Sequence, residues 1–348
     1  MAIRAKDIAD MLNVSPSAVS IVLNNRSGVS DATRALILGK VKELHCEYLL
    51  KADTTLPSAT AAVSEAGGTI GFVIYKRSGE LINEAPFFNY SIESITEALQ
   101  NFNYSMKFIY LNRSMGKAEI LRQLNNSGCD GFIFYAVEML NEDLDMVTEC
   151  NYPFVMLDNS FMERDVDSVA INNVQGIHKA VQYAYEMGHR KIGYIQSNAV
   201  CISFNERFRE YGRQLAILGI RFNADYVIHC DYSEFGVSKA VSDYVRDHSE
   251  DMPTIFISDN DYLGAHAMQA FKTHGYKIPS DISIIGLDNR NICAMVNPPM
   301  TTINVPLDLF GPSAVDYVLS KIRTGRTQSM KLDVGINLIK RSSVAKLN

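Results

Sequence analysis

The chain has no apolar run approaching the ~20 residues that a membrane helix requires, so no membrane association is expected. Its first residues, MAIRAKDIAD, lack the apolar segment of an export signal, which makes the expected location cytoplasmic. The cysteines at positions 46, 129, 150, 201, 230 and 293 are scattered and form no Cys-x-x-Cys pair. Thiols placed this way are expected to be reduced packing residues, not a disulfide framework or a metal site. Also missing are Gly-x-x-x-x-Gly-Lys-[Ser/Thr], Gly-x-Ser-x-Gly, Gly-x-Gly-x-x-Gly and His-Glu-x-x-His, and the histidines are dispersed. The expectation is a protein that is not an enzyme and needs no metal and no cofactor.

What is present is an ordinary globular composition, 47% hydrophobic and 21% charged, in a chain of 348 residues, enough for two or three domains. The net charge of −6 argues against a whole surface that binds nucleic acid. The charge is unevenly spread, however. Residues 1–51 carry seven Lys/Arg against five Asp/Glu, and all the net negative charge lies beyond them. A slightly basic head on an acidic body places any nucleic-acid contact at the head.

Three short helices are predicted in that head. Ile8, Ala9 and Leu12 recur at helical spacing, and Asn13 breaks the pattern. Ser15 is an N-cap residue and Pro16 fits the first helical position, where a missing N–H costs nothing. Val19, Val22 and Leu23 make the next apolar stripe. After Gly28, Ser30 is a second cap, followed by Ile37, Val41 and Leu44. At 100° per residue, Ser17, Ile21 and Asn24 fall opposite the Val19 stripe. A large apolar Ile21 on an outward face fits a recognition helix entering a DNA groove, and equally a plain helical hairpin packed on a neighbour. The wheel alone leaves both open.

Residues 54–68 are rich in Ala, Ser, Thr and Gly with one charge, Glu65, which is linker composition. From Thr69 onward, strand-like runs alternate with amphipathic helices: TIGFVIY, SMKFIYL, CDGFIFY and YPFVMLD, then KIGYIQS, DYVIHC, PTIFISD and DISIIGLD. That alternation predicts parallel sheets flanked by helices. Thr69–Val73 and Lys191–Ile195 echo each other as TIGFV and KIGYI, so each is expected to open one lobe of a pair sharing a cleft.

Asp7-Ile8-Ala9, Val14-Ser15, Val19-Ser20, Val22-Leu23-Asn24, Val29-Ser30 and Thr33-Arg34 stand together as in the DNA-binding head of the lactose-repressor (LacI/GalR) family, which the chain resembles. Gly188–Gly193, Ser258–Asp261, Pro279–Asp288 and Pro298–Ile303 resemble the effector-binding core of the same family, shared with periplasmic sugar-binding proteins. The resemblance implies a helix-turn-helix head at 1–47, a linker at 48–68 and a two-lobed core at 69–348. The implied fold class is an all-α head plus an α/β core of two doubly wound parallel sheets. It further implies a DNA-binding transcriptional regulator, a repressor, acting as a homodimer on operator DNA under control of a small effector, a carbohydrate or derivative. The chain stops at SSVAKLN, without the extra helix of the family's tetramers, so a dimer is expected. Solute-binding proteins, and sugar- or nucleoside-processing enzymes with an incidental helical head, are the alternative.

By position, Ser15, Ser20, Asn24, Ser30 and Thr33 match residues that hold phosphates, and Pro16, Ser17 and Ile21 match those that read base edges. Ile21 departs from the family, which mostly carries Arg there. Leu56 is the nearest candidate for the family's minor-groove wedge, although the surrounding linker matches poorly and fits a flexible tether equally well. For the effector the matched residues are Pro86, Phe87, Phe88, Tyr135, Asp158, Arg207, Tyr232, Asn260 and Asp288. Carboxylates and an amide can accept from sugar hydroxyls, a guanidinium donates in a fixed fork, and aromatic faces stack on a ring.

Overall fold

A computed structural model describes residues 5–12, 14–23, 28–43, 67–84 and 89–347. They fall into two compact units, one within residues 1–64 and the other within 65–348.

The first unit holds α1 (Ala5–Leu12), α2 (Pro16–Leu23) and α3 (Asp31–Glu43). Local chemistry sets the boundaries. The Ser15 hydroxyl accepts from the Ala18 N–H at 3.1 Å, and Ser30 does the same for Thr33 at 3.2 Å, so both serines satisfy amides that a helix start leaves bare. Ile8 and Ala9, then Val19, Val22 and Leu23, then Ile37 and Val41 close on one another as a small apolar core.

In the second unit the first lobe contains β1 (Thr69–Lys76), β2 (Ser105–Asn112), β3 (Gly131–Tyr135), β4 (Phe154–Leu157) and β5 (Ser168–Ile171), with α4 (Glu80–Glu84), α5 (Asn89–Gln100), α6 (Lys117–Asn125) and α7 (Asn141–Leu144) between them. The second lobe contains α8 (Asn173–Glu186), β6 (Ile192–Ser197), α9 (Ile202–Ile217), β7 (Val227–Cys230), α10 (Glu234–His248), β8 (Ile255–Ser258), α11 (Asp261–Thr273), β9 (Ser283–Asp288), α12 (Ile292–Met295) and β10 (Thr301–Asn304). The chain then returns to the first lobe as α13 (Leu307–Thr324) and β11 (Lys331–Val334), and ends in the second with β12 (Asn337–Ile339).

Both sheets have six strands in the same arrangement, β2-β1-β3-β4-β5-β11 and β7-β6-β8-β9-β10-β12. All pairings are parallel except β10 with β12. Side chains alternate between the two covered faces, as the period of a strand demands. In β1, Phe72 and Ile74 pack toward α5 and α13, while Val73 and Tyr75 pack toward α6. In each sheet the strand order reverses beside β1 or β6, and the crevice beyond the strand carboxyl ends is where such sheets take ligands.

Eight of these strands match the apolar runs in the sequence, and β1 and β6 are the two echoing segments. The remaining four, β5, β10, β11 and β12, are three or four residues long. Their sequences, SVAI, TTIN, KLDV and NLI, become strands by pairing with neighbours already in place. Among the described residues no helix is long and apolar enough to cross a membrane.

Candidate functional site

On the head, Ser15, Pro16, Ser17, Ser20 and Ser30 are exposed and Thr33 is half-buried. The Ser15 hydroxyl also meets Ser17 at 2.9 Å, and Ser30 meets Thr33 at 2.8 Å. These hydroxyls therefore sit at helix starts, where backbone N–H groups and the helix dipole favour an anion such as a phosphate. Ile21 stands opposite buried Val19, as the wheel predicts, but it is half-buried rather than fully outward. Its Cδ1 lies 3.6 Å from where a Cβ on Gly28 would be, so the side chain leans toward Gly28. Asn24 and Leu56 lie outside the described residues.

In the core, Tyr135, Asp158, Arg207, Tyr232, Asn260 and Asp288 all line one cleft, with a cavity volume of about 80 Å3. Pro86, Phe87 and Phe88 lie outside the described residues. The fold explains the convergence. Tyr135 ends β3, Asp158 follows β4, Asp288 ends β9, and Tyr232 and Asn260 each stand two residues beyond a strand. Arg207 projects from the second turn of α9.

Asp158 and Asp288 occupy equivalent places, because β4 and β9 are the fourth strands of their sheets. Both have left-handed backbone, with φ of 78° and 119°. Such a conformation costs an ordinary residue about 1–3 kcal/mol, and strain of this kind gathers at ligand sites. Each lobe thus aims one strained carboxylate into the shared cleft. Arg207 is 3% exposed. Its Nε donates to Asn173 Oδ1 at 2.8 Å, Nη1 donates to the Asp259 carbonyl, and Nη2 stands 3.9 Å from Asp288 Oδ1. Asn173 in turn donates to Glu206 at 2.8 Å. Asn172 caps α8 by accepting from Gln175 at 2.9 Å, so only the second member of that asparagine pair reaches the network.

Asn260 uses its oxygen to cap α11, accepting from the Leu263 N–H at 3.1 Å, and its Nδ2 donates to the Tyr232 hydroxyl at 2.7 Å. It fixes the cleft wall rather than offering the free acceptor that residue type alone implies. The wall is aromatic, with Tyr232 stacked on Tyr262 at 5.3 Å between centroids and lying 6.1 Å from Phe204.

The comparisons with known proteins agree at both ends of the chain. The model for "Bacterial regulatory proteins, lacI family" matches residues 5–46, and that for a "Periplasmic binding protein-like domain" matches 181–344. The head is thus matched as a lacI-family regulatory domain and the second half of the core as a periplasmic-binding-protein-like domain. It is 26% identical over 347 residues to the HTH-type transcriptional repressor PurR of Photobacterium profundum, covering 99% of each chain. It is 29% identical to the PurR of Pectobacterium atrosepticum, covering 98% of this chain and 96% of that protein. Among solved structures, the transcriptional regulator CelR–cellobiose complex superposes with a TM-score of 0.70 at 22% identity, covering 98% of this chain and 99% of that one. The lac repressor dimer bound to operator gives 0.68 at 21%, covering 99% of this chain and 100% of that one. The chain is accordingly a DNA-binding transcriptional regulator of the lacI type. A solute-binding protein or a processing enzyme is not favoured.

In the core the sequence does not single out several lining residues, chiefly Phe204, Tyr262, Leu81 and Arg290. Phe204 was within reach, since it stands one turn before Arg207 on the same helical face. Tyr262 is the second residue of the helix that Asn260 caps. Arg290 sits in a loop and Leu81 in the five-residue α4, too short for periodicity to report which way a side chain points.

Burial raises the pKa of the acids in and behind the cleft. Burial pushes Asp158 up to about 7, against the pull of Arg207 and with a further push from Asp288. Burial also pushes Asp259 up to about 7, although Ser197 N–H, the Tyr194 hydroxyl and Arg207 favour its charged form. Burial lowers the basicity of Arg207, but the surrounding acids outweigh that and hold it charged. An unfolded Asp ionises near pH 4 (about 3.9). Between there and about pH 7 the folded chain binds the extra protons, so the stability contributed by these two groups falls as pH rises and is lost above about 7. Urea titrations should therefore show Asp158→Asn losing less stability than the parent between about pH 4.5 and 7.5. Parallel slopes would mean that Asp158 is already ionised in the folded state.

Proposed function

We propose that the chain is a cytoplasmic repressor, acting as a homodimer, whose affinity for a two-fold operator is set by a polyhydroxylated effector, a sugar or sugar derivative, held between the lobes. The domain limits that go with this are 1–47 for the head, 48–68 for the linker and 69–348 for the sensing and pairing core. The observation that carries the reading is the pair of strained carboxylates, Asp158 and Asp288, one from each lobe, with charged Arg207 beside them and an aromatic wall opposite. Carboxylates accept from adjacent hydroxyls, the guanidinium donates, and the rings cover a pyranose or furanose face. A ligand held by groups from both lobes binds the closed core more tightly than the open one. It therefore shifts that equilibrium and the geometry offered to the two heads. Binding alone accounts for every group in the cleft without a reaction, in line with the repressor relatives. The CelR–cellobiose complex and a ribose-bound LacI-family regulator from Enterococcus faecium support a carbohydrate ligand.

A thermal-shift screen of mono- and disaccharides tests this, because a ligand that binds only the folded state raises the melting point by mass action. Hits should change operator affinity in a gel shift run at several salt concentrations, where specific binding shows a steep salt slope. A purified protein that binds no operator sequence selectively, with or without the sugars, would overturn the regulator reading. Selective operator binding with no sugar response would overturn the carbohydrate assignment alone.

A further inference from the structure

Glu138, three residues beyond β3, is 1% exposed. Its carboxylate accepts five backbone N–H groups from one short stretch of chain. Oε2 takes those of Arg77, Ser78 and Gly79 at 2.9, 3.1 and 2.8 Å, and Oε1 takes those of Leu81 and Ile82 at 3.0 and 3.2 Å. Such a convergence of amides is the concavity that proteins build for anions, and here the anion is a side chain of the same lobe. Gly79 has φ +82°, the left-handed value that lets successive amides point inward. The Arg77 side chain turns away to Glu142 at 2.6 Å and Asp143 at 2.5 Å. The ring of amides, not Arg77, therefore balances Glu138.

The stretch so held is the connection from β1 into α4, beside the point where the strand order reverses. It carries Leu81, which lines the cleft and packs into an apolar cluster composed mainly of second-lobe residues such as Cys201, Phe204 and Tyr232. Val137, next to Glu138, lines the cleft as well. In sequence the stretch leads directly into Pro86, Phe87 and Phe88.

We propose that Glu138 is a positioning residue for the effector site: its negative charge shapes residues 77–82 into a tongue that presses Leu81 against the second lobe and closes one wall of the cleft. The proposal rests on the cleft being the effector site. A neutral amide cannot replace the carboxylate. Glu138→Gln keeps one acceptor oxygen and turns an NH2 toward amides that also donate, stranding at least two of the five.

Hydrogen exchange on the full-length protein reads the tongue directly. In the parent the amides of residues 77–82 should be slow. In Glu138→Gln they should exchange at least tenfold faster, with β3 and β4 unchanged. Because the chain contains no tryptophan, a Leu81→Trp reporter shows the same event, its emission moving to the red when Glu138 is neutralised. Glu138→Gly opens the cradle, and sodium formate should restore slow exchange and blue emission whereas neutral formamide should not. With cellobiose or ribose, if either binds the parent, Glu138→Gln should weaken binding at least tenfold while operator affinity without sugar stays the same. Unchanged exchange in Glu138→Gln, or rescue by formamide as good as by formate, overturns the proposal. Should Glu138→Gln fold poorly, Glu138→Asp, which keeps the charge, must retain more protection at 77–82 than Glu138→Ala, or the proposal fails. If neither sugar binds the parent, the carbohydrate reading is what loses support, and the exchange and formate results still decide the role of Glu138.

Discussion

Arg207→Ala is expected to abolish the effector response while leaving operator binding in place. Arg207 is buried, holds Asn173 and the Asp259 carbonyl, and is the cation nearest the acids of the cleft floor. Removing it leaves Asp158 and Asp288 facing one another, with Asp259 buried behind them, and much less opposing charge. Breaking a buried ionic network by deleting one partner costs about 3–5 kcal/mol. Part of that cost will be relieved by proton uptake, since burial already raises the pKa of all three acids. The variant should therefore melt lower than the parent, and more so at high pH than at low pH. Ligand affinity should fall by at least two orders of magnitude, because the loss of a charge-assisted donor adds to the disturbance of the carboxylates beside it. Adding Asp288→Asn should recover stability but not ligand binding. Calorimetry with a sugar that binds the parent checks the first point and a gel shift the second. Undiminished affinity in Arg207→Ala would remove Arg207 from the site.

Ile21→Arg is expected to change which operator the protein prefers. Ser17 and Ile21 lie on the face of α2 opposite the buried Val19 stripe, and helix starts carrying Ser15 and Ser30 flank that face. Isoleucine offers a thymine methyl an apolar contact and offers guanine no hydrogen bond. Arginine reaches guanine O6 and N7 together, a pairing worth about 1–3 kcal/mol of discrimination, or roughly 5- to 150-fold. Binding-site selection on the parent should return half-sites without a fixed guanine at that position, and selection on the variant should return one. The added cation should also steepen the salt dependence by about one charge if it reaches a phosphate instead. A strict guanine in the parent selection would show that Ile21 does not govern the position.

These two residues also show how unevenly the molecule can be read from its chain. The face of α2 follows from 3.6-residue periodicity, a cap and a proline, all local, so Val19 and Ser15 are placed before any contact is known. That Ile21 leans toward Gly28 is a detail that only the structure gives. In the cleft, the family resemblance singles out Asp158, Tyr232 and Asp288, and the points where apolar runs stop agree with it. The ordering of strands that brings Asp158 and Asp288 to equivalent places in two sheets involves residues 130 positions apart, and no local pattern carries it.

By itself the sequence determined the helical head, the alternation of strands and helices, the duplication of the lobe and the chemical types gathered at strand ends. Each depends on interactions within a few residues or on a repeated pattern. The tertiary structure decided the rest: which short segments pair as β5, β10, β11 and β12, that Asn260 is spent on a cap and on Tyr232, that Asn173 steers Arg207, and that Glu138 gathers five amides from residues 77–82. These are long-range choices. A buried polar group takes whichever partner the closed fold brings within about 3 Å, and that partner is fixed only when both lobes have assembled.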